Sequence, residues 1–174
     1  MIKRDLTLFL PHGACSTRNL GGIFMIEGVM VQKLMLIPDE RGWLMEILRN
    51  DWGVLQKFGR AYVSAAYSNV VKAWHMHKKQ IDCLVCVKGM VKLVLYDGRK
   101  SSKTKGEINE FFLGESNPIL VKVPARVWHG YKAINETAFI INICTELYNE
   151  KKPDEYRLPP NTKKIPYNWS LLPS

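Results

Sequence analysis

Residues 70–98 read VVKAWHMHKKQIDCLVCVKGMVKLVLYDG, and this stretch decides the fold. Aliphatic and β-branched residues come in short runs closed by Lys-Gly at 88–89 and Asp-Gly at 97–98, the pattern of strands separated by turns. The same rhythm runs outward. VMVQKLMLI and YVSAAYS precede it, and EFFLGESNP, ILVKVPAR, WHGYKAI and AFIINICTELY follow, with Gly-Glu-Ser-Asn-Pro and Ile-Asn-Glu as further turn signals. Many short strands without a long amphipathic helix predict an all-β sandwich or barrel such as the jelly roll. Only GWLMEILRND, at 42–51, has room for a short helix. The tail from Lys151, KKPDEYRLPPNTKKIPYNWSLLPS, holds five of the nine prolines and is expected as extended chain laid over the body. A helical turn is expected near Pro153, with Tyr167 and Trp169 as anchors.

A chain of 174 residues that is 47% hydrophobic makes one folded domain with a real core. Residues 1–27, with Gly13, Gly21 and Gly22 and little periodicity, are expected to form a loosely packed leader, leaving 28–174 as the single domain. No apolar run approaches the roughly 20 residues a membrane helix needs. Leu6–Leu10, cut off by Pro11, is too short for the apolar core of a signal peptide, so a cytoplasmic protein is expected. With 25 basic against 16 acidic residues the net charge is +9, which favours an anionic partner. Cysteines at 15, 83, 86 and 144 are too few and scattered for a disulfide framework. Cys83 and Cys86, three apart on a strand, point to opposite faces, so they are expected as buried structural thiols rather than as a metal or redox pair.

Chemistry concentrates in the histidines. His75 and His77 lie two apart on a predicted strand and share a face, and His129 opens another strand in PARVWHGY. The spacing H-x-H, then Asp82, then Gly89, and later Pro124 and His129, resembles a cupin, with Asp in place of the usual Glu. Two readings follow. One is a metal site built from His75, His77, Asp82 and His129, three imidazoles and a carboxylate suited to a transition metal. The other is a metal-free pocket in which an imidazole acts as general base near neutrality.

A more specific resemblance lies in the motifs around it. IPDERGWLME at 37–46 resembles the F-x-D-x-R-G-x-F-x-E box of the dTDP-4-dehydrorhamnose 3,5-epimerases, which are jelly-roll cupins. VVKAWH at 70–75 is similar to their V-L-R-G-L-H, QIDCLVCVKG at 80–89 to Q-x-K-L-V-x-V-x-x-G, and YDGRKSSKTKGE at 96–107 to V-D-x-R-x-S-S-P-T-F-G. VPARVWHGY at 123–131 resembles I-P-x-G-F-A-H-G-F, and IPYNW at 165–169 resembles I-x-W. Together they span roughly residues 30–169 in the family's order.

The resemblance implies a cupin-type double-stranded β-helix, the jelly roll, with an extended C-terminal tail. It also implies proton abstraction beside the 4-keto group of a nucleotide sugar in cell-surface polysaccharide synthesis. His75 takes the place of the catalytic base. Arg41 and Glu46 fall on the nucleotide-binding box, usually completed across a dimer, and Lys72 replaces an arginine beside the base. His129 occupies the H-G-F histidine, and Tyr131 stands where that motif has Phe. Trp74 and Trp128 flank the histidines, where they either stack on a base or sugar or pack in the core.

Three positions depart from the family. Its active-site Lys is Asp82 here, its proton-donating Tyr falls at Asn142, and the Asp that partners the base falls near Pro160 or Asn161. His77 adds a second imidazole, and H-x-H followed by Gln80 is similar to the related nucleotide-sugar 3,4-ketoisomerases. The expectation is therefore a nucleotide-sugar epimerase or isomerase with His75 as base and His77 or Tyr131 as proton partner. Arg41, Glu46 and Lys72 hold the diphosphate, and Gln80, His129 and Asn142 bind the substrate. No metal ligand and no cofactor are assigned, and a homodimer without nucleic-acid or membrane partners is expected, since the chain has no basic helix or aromatic-basic ladder. The alternatives are a catalytically lapsed cupin that binds a nucleotide sugar or glycan and, third, a metal-dependent cupin enzyme.

Overall fold

The computed structural model describes residues 25–170. Ten strands follow in chain order: β1 (Met30–Lys33), β2 (Leu36–Asp39), β3 (Gly42–Met45), β4 (Arg60–Ala66), β5 (Val71–Met76), β6 (Asp82–Tyr96), β7 (Ile108–Gly114), β8 (Ile119–Val123), β9 (Trp128–Cys144) and β10 (Tyr156–Arg157). Among the described residues the only helical element is a single 3-10 turn, Asn50–Trp52. Of the stretch 42–51 expected as a short helix, Gly42–Met45 is instead the second strand of the β2–β3 hairpin, where Trp43 and Leu44 stay exposed and no buried stripe stabilises a helix, and only Asn50 and Asp51 enter the 3-10 turn. Nor does the tail form a helical turn at Pro153; it enters β10 two residues after Asp154.

The eight-stranded sheet runs β1-β8-β6-β9-β5-β10, with β4 added to β9 and β7 to β6. Two strands are far longer than the sequence suggests. IDCLVCVKG and MVKLVLYDG fuse into the 15 residues of β6, and WHGYKAI and AFIINIC fuse into the 17 residues of β9. The turn signals between them are bends within paired strands. At Gly89, with φ 70°, the register shifts between Cys86, Lys88 and Met90, and Asn135 sits at φ 65° on β9 opposite the bend. A bulge adds a residue and deflects a strand without ending its pairing. A side chain at 89 would bring its Cβ to 3.0 Å from the Thr137 carbonyl oxygen, so glycine is required by space as well as by φ.

The bends divide the long strands into two halves. Asp82–Cys86 of β6 pairs with β8 and the end of β9, while Met90–Tyr96 pairs with β7 and the beginning of β9. β4 joins the end of β9 and β5 its beginning, which places β4 and β5 on either side of one bend. This is the jelly roll expected from the sequence.

Period-two alternation sorts the core. Leu84, Cys86, Val91, Leu93 and Leu95 of β6 pack in one cluster with Ile26, Val121, Val123 and Ile140. On the opposite face Cys83 and Val85 pack with Leu34, Val54, Leu120 and Ile143, covered by Ile47, Leu48, Trp52 and Leu55. Cys83 and Cys86 thus lie in separate clusters, and burial pushes their thiols up to about 12 and about 11. Inert buried thiols are the expected outcome. A third cluster joins Trp74 and Val94 to Ile165 and Trp169 of the tail, and the Trp74 ring centroid is 5.0 Å from that of Trp169 and 5.9 Å from that of Tyr167. The tail anchors are those expected. Ordered packing begins before the expected boundary at 28, because Ile26 is buried and its N–H donates to Asn109 Oδ1 at 2.8 Å. The rest of the expected leader lies outside the described residues.

Candidate active site

A cavity of about 990 Å³ opens between β4, β5, β9 and the tail. Its size suits a large organic ligand. It is lined by His75, His77, Gln80, His129, Tyr131, Lys72 and Asn142, so seven of the nine residues singled out in the sequence meet there. Arg41 and Glu46 do not. Both sit on or beside the exposed β2–β3 hairpin, Arg41 paired with Asp39 at 2.6 Å and Glu46 with Arg49 at 3.2 Å.

The strand period explains the convergence. His75 and His77 share the cavity face of β5 and its continuation, whereas Trp74 between them points the other way and is fully buried under the tail. Trp128 packs in the same cluster as Trp74, so both tryptophans belong to the packing beneath the tail. His75 stands directly across from His129 in the β5–β9 register, and the His77 and His129 ring centroids are 6.0 Å apart.

The carboxylate that orients His75 is Glu155, not a residue near Pro160 or Asn161. Its Oε1 is 2.7 Å from His75 Nδ1, and its Oε2 accepts from Arg157 at 2.8 Å. Pairing of β10 with β5 sets Arg157 opposite His75 and so delivers Glu155 to the ring. Burial works to raise the Glu155 carboxyl, but the hydrogen bonds from Arg157 and His75 outweigh it and hold the group below its ordinary value. The neighbouring Asp154 organises the loop after β5. Its carboxylate accepts from the backbone N–H groups of Lys78, Lys79 and Gln80, and its carbonyl accepts from His77 Nδ1 at 2.6 Å.

Deeper in, Asp82 is the hub of a buried polar group. Its Oδ1 accepts from Gln80 Nε2 at 2.8 Å and from Asn142 Nδ2 at 2.9 Å. Asn142 Nδ2 also donates to the Tyr62 hydroxyl at 2.9 Å, while its Oδ1 is buried with no partner, an acceptor available to a ligand. Tyr62 was not among the residues marked by sequence. It pairs with Asn142 in the β4–β9 register and lines the cavity. Burial pushes its phenol up to about 12, against the smaller opposing effect of the Asn142 hydrogen bond. Tyr131 differs: its hydroxyl donates to Ser64 Oγ at 3.1 Å. Lys72 Nζ is held by Ser64 Oγ at 3.0 Å and the Ala65 carbonyl at 2.6 Å. Arg60, Lys152 and Arg157 add positive charge to the cavity wall, with Arg60 lying 5.2 Å from the Tyr62 ring centre and 5.1 Å from that of Tyr148.

The YDGRKSSKTKGE segment proves structural. Asp97, fully buried, accepts from Arg99, Ser102 and Thr104 and closes the loop between β6 and β7.

Comparison with known proteins agrees with this geometry. The family model for dTDP-4-dehydrorhamnose 3,5-epimerase matches residues 24–174. The chain is 44% identical over 147 residues to the spore coat polysaccharide biosynthesis protein SpsL of Bacillus subtilis, covering 84% of this chain and 97% of that protein. It is 41% identical over 148 residues to the probable low-salt glycan biosynthesis epimerase Agl13 of Haloferax volcanii, covering 83% and 95%. Among solved structures, a dTDP sugar isomerase from Desulfovibrio desulfuricans superposes with a TM-score of 0.79 at 31% identity, over 83% of this chain and 92% of that one.

Proposed function

The chain belongs to the dTDP-4-dehydrorhamnose 3,5-epimerase family, and from that premise we propose that it is a nucleotide-sugar epimerase of cell-surface polysaccharide or glycan synthesis. Its substrate is a nucleotide-linked 4-keto-6-deoxyhexose of the dTDP type, and it works in the cytoplasm, where such activated sugars are made. No helix among the described residues is long and apolar enough to cross a membrane.

The observation that carries this reading is the His75–Glu155 pair on the cavity wall, 2.7 Å apart. With Nδ1–H donated to the carboxylate, Nε2 is the basic atom, and Glu155 stabilises the imidazolium formed when a proton leaves the carbon beside the ketone. Reprotonation from the other side needs an acid. His77 and Tyr131 are the candidates from sequence, but the Tyr131 proton is committed to Ser64. Tyr62 fits better: its oxygen accepts from Asn142, which leaves its own O–H to donate into the cavity. The hydroxyl that the family carries at the position of Asn142 is offered here from the adjacent strand. Lys72, Arg60, Lys152 and Arg157 supply charge for the diphosphate. Arg41 and Glu46 contribute through a homodimer, in which each protomer's β2–β3 hairpin, with Ile37, Trp43 and Leu44 exposed, reaches the partner's cavity.

The test is turnover of a panel of dTDP-linked 4-keto-6-deoxyhexoses in deuterium oxide, followed by NMR. Deuterium should enter carbon 3 or carbon 5 with inversion of at least one centre. Tight binding without deuterium uptake would instead make the protein a nucleotide-sugar binder, the reading that Asp82 and Asn142 in altered positions would then favour.

A further inference from the structure

The group formed by the half-buried His77 and the buried Asp82 and His129 is given no role in the reaction just described. Asp82 is 1% exposed, and its Oδ1 already accepts from Gln80 and Asn142. Its Oδ2 lies 3.7 Å from His77 Nε2 and 3.7 Å from His129 Nε2, too far for a hydrogen bond to either. Both rings are fixed from behind. His77 Nδ1 meets the Asp154 carbonyl at 2.6 Å and His129 Nδ1 meets the Val127 carbonyl at 3.2 Å. A carbonyl oxygen only accepts, so each ring carries a proton on Nδ1 and, when neutral, a lone pair on Nε2. One ligand atom from each of the three residues, a nitrogen from each ring and a carboxylate oxygen, lies within 4.8 Å of the other two. Such a convergence of electron-rich atoms calls for a positive charge between them.

We propose that His77, Asp82 and His129 form a binding site for one divalent transition-metal ion. Two imidazole nitrogens and one carboxylate oxygen are a donor set taken by zinc, iron, manganese, cobalt or nickel, with remaining positions open to other ligands. Those positions face the cavity, because His77 and His129 line it. Imidazoles backed by carbonyls and a carboxylate steadied through its other oxygen are how proteins orient metal ligands. His75 stands apart from the site, with its Nδ1 on Glu155 and its ring centroid 6.3 Å from that of His129. The charge also balances, a point that rests on the proposed epimerase reading. Proton abstraction beside a ketone builds negative charge on the ketone oxygen. Where the family carries a lysine this chain has Asp82, which alone repels that charge, whereas Asp82 with a dication restores a net charge of +1.

The test is metal binding by the full chain with no sugar present, so its failure and the failure of the epimerase reading are separate results. Protein stripped by dialysis against EDTA is titrated with zinc chloride by calorimetry and with cobalt chloride by visible absorption. One equivalent should bind, with cobalt bands of nitrogen and oxygen ligation and no thiolate charge transfer. His77→Ala and Asp82→Asn should each weaken binding by about 100-fold or more, the upper end of what loss of a supporting group costs. His75→Ala should bind as the unaltered protein does. Because Asp82 is buried and its variant is the harder one to fold, the part-exposed His77 carries the test if that variant is lost. No uptake by the stripped protein, thiolate bands, or binding undiminished in His77→Ala would each overturn the site.

Discussion

At the scale of single residues, His75 is paired with a carboxylate that is 80 positions away in sequence. Glu155→Gln keeps the shape but removes the charge that stabilises imidazolium, so kcat should fall by about 10²- to 10⁴-fold. KM for the nucleotide sugar should change little, and steady-state kinetics with the substrate proposed above checks both. Tyr62→Phe separates abstraction from return of the proton. Deuterium should still enter the sugar at the abstraction site, while inversion falls by about 10²-fold or more. Equal loss of exchange and inversion would remove Tyr62 from the role of donor. His75 and His77 were legible beforehand because a strand's period of two puts them on one face whatever the rest of the chain does. Tyr62 was not, since one of two tyrosines in YVSAAYS carries no local signal and matters only through its register with Asn142.

Strands and loops hold these residues at working distances. Gly130 follows His129 because β5 crosses close to β9 there: a Cβ at 130 would lie 2.4 Å from the Ala73 Cβ. Gly130→Ala should force β5 away from β9 and shift His75 relative to the cavity. A displacement near 1 Å can cost about 10²-fold in rate, so kcat should fall by that order while circular dichroism retains the β signal. The β6–β7 loop supplies a prediction in pH. Burial alone would raise the Asp97 carboxyl, but hydrogen bonds from Arg99, Ser102 and Thr104 prevail and hold it well below the usual carboxylate range. A folded-state pKa below the unfolded one means that the stabilisation is present above about pH 4 and is lost as pH falls below it. Asp97→Asn should therefore cost about 3 kcal/mol at pH 7. In urea unfolding the gap to the unaltered protein should shrink steadily towards pH 2. That loop was read from sequence as a family motif, and its structural purpose emerged from the bonds around Asp97.

Over the whole molecule the tail joins stability to chemistry. Trp169 and Ile165 cover Trp74 and Val94, and the same tail delivers Asp154 and Glu155 to the histidines. Trp169→Ala removes a buried aromatic and leaves a cavity, a change worth about 3–5 kcal/mol. Equilibrium unfolding in urea should register that loss. Activity should fall with it under native conditions, because Leu158 exchanges both backbone hydrogen bonds with Trp74, next to His75.

The sequence by itself determined the all-β class, the thiols on opposite faces of β6, the shared face of His75 and His77, and the tail anchored by Tyr167 and Trp169. Each of these follows from local alternation, composition or a contiguous motif, and local chain geometry settles them. Only the tertiary structure decided that Lys88-Gly89 and Ile-Asn-Glu are bends within β6 and β9 rather than turns, because bulge and turn use the same residues and differ in whether pairing continues beyond them. It likewise decided that Glu155 rather than a residue near Pro160 or Asn161 meets His75, and that Arg41 and Glu46 lie outside their own chain's cavity. Those facts depend on how a proline-rich tail and a short hairpin register against strands distant in sequence, and strand register is set by packing and pairing across the molecule, which no local pattern encodes.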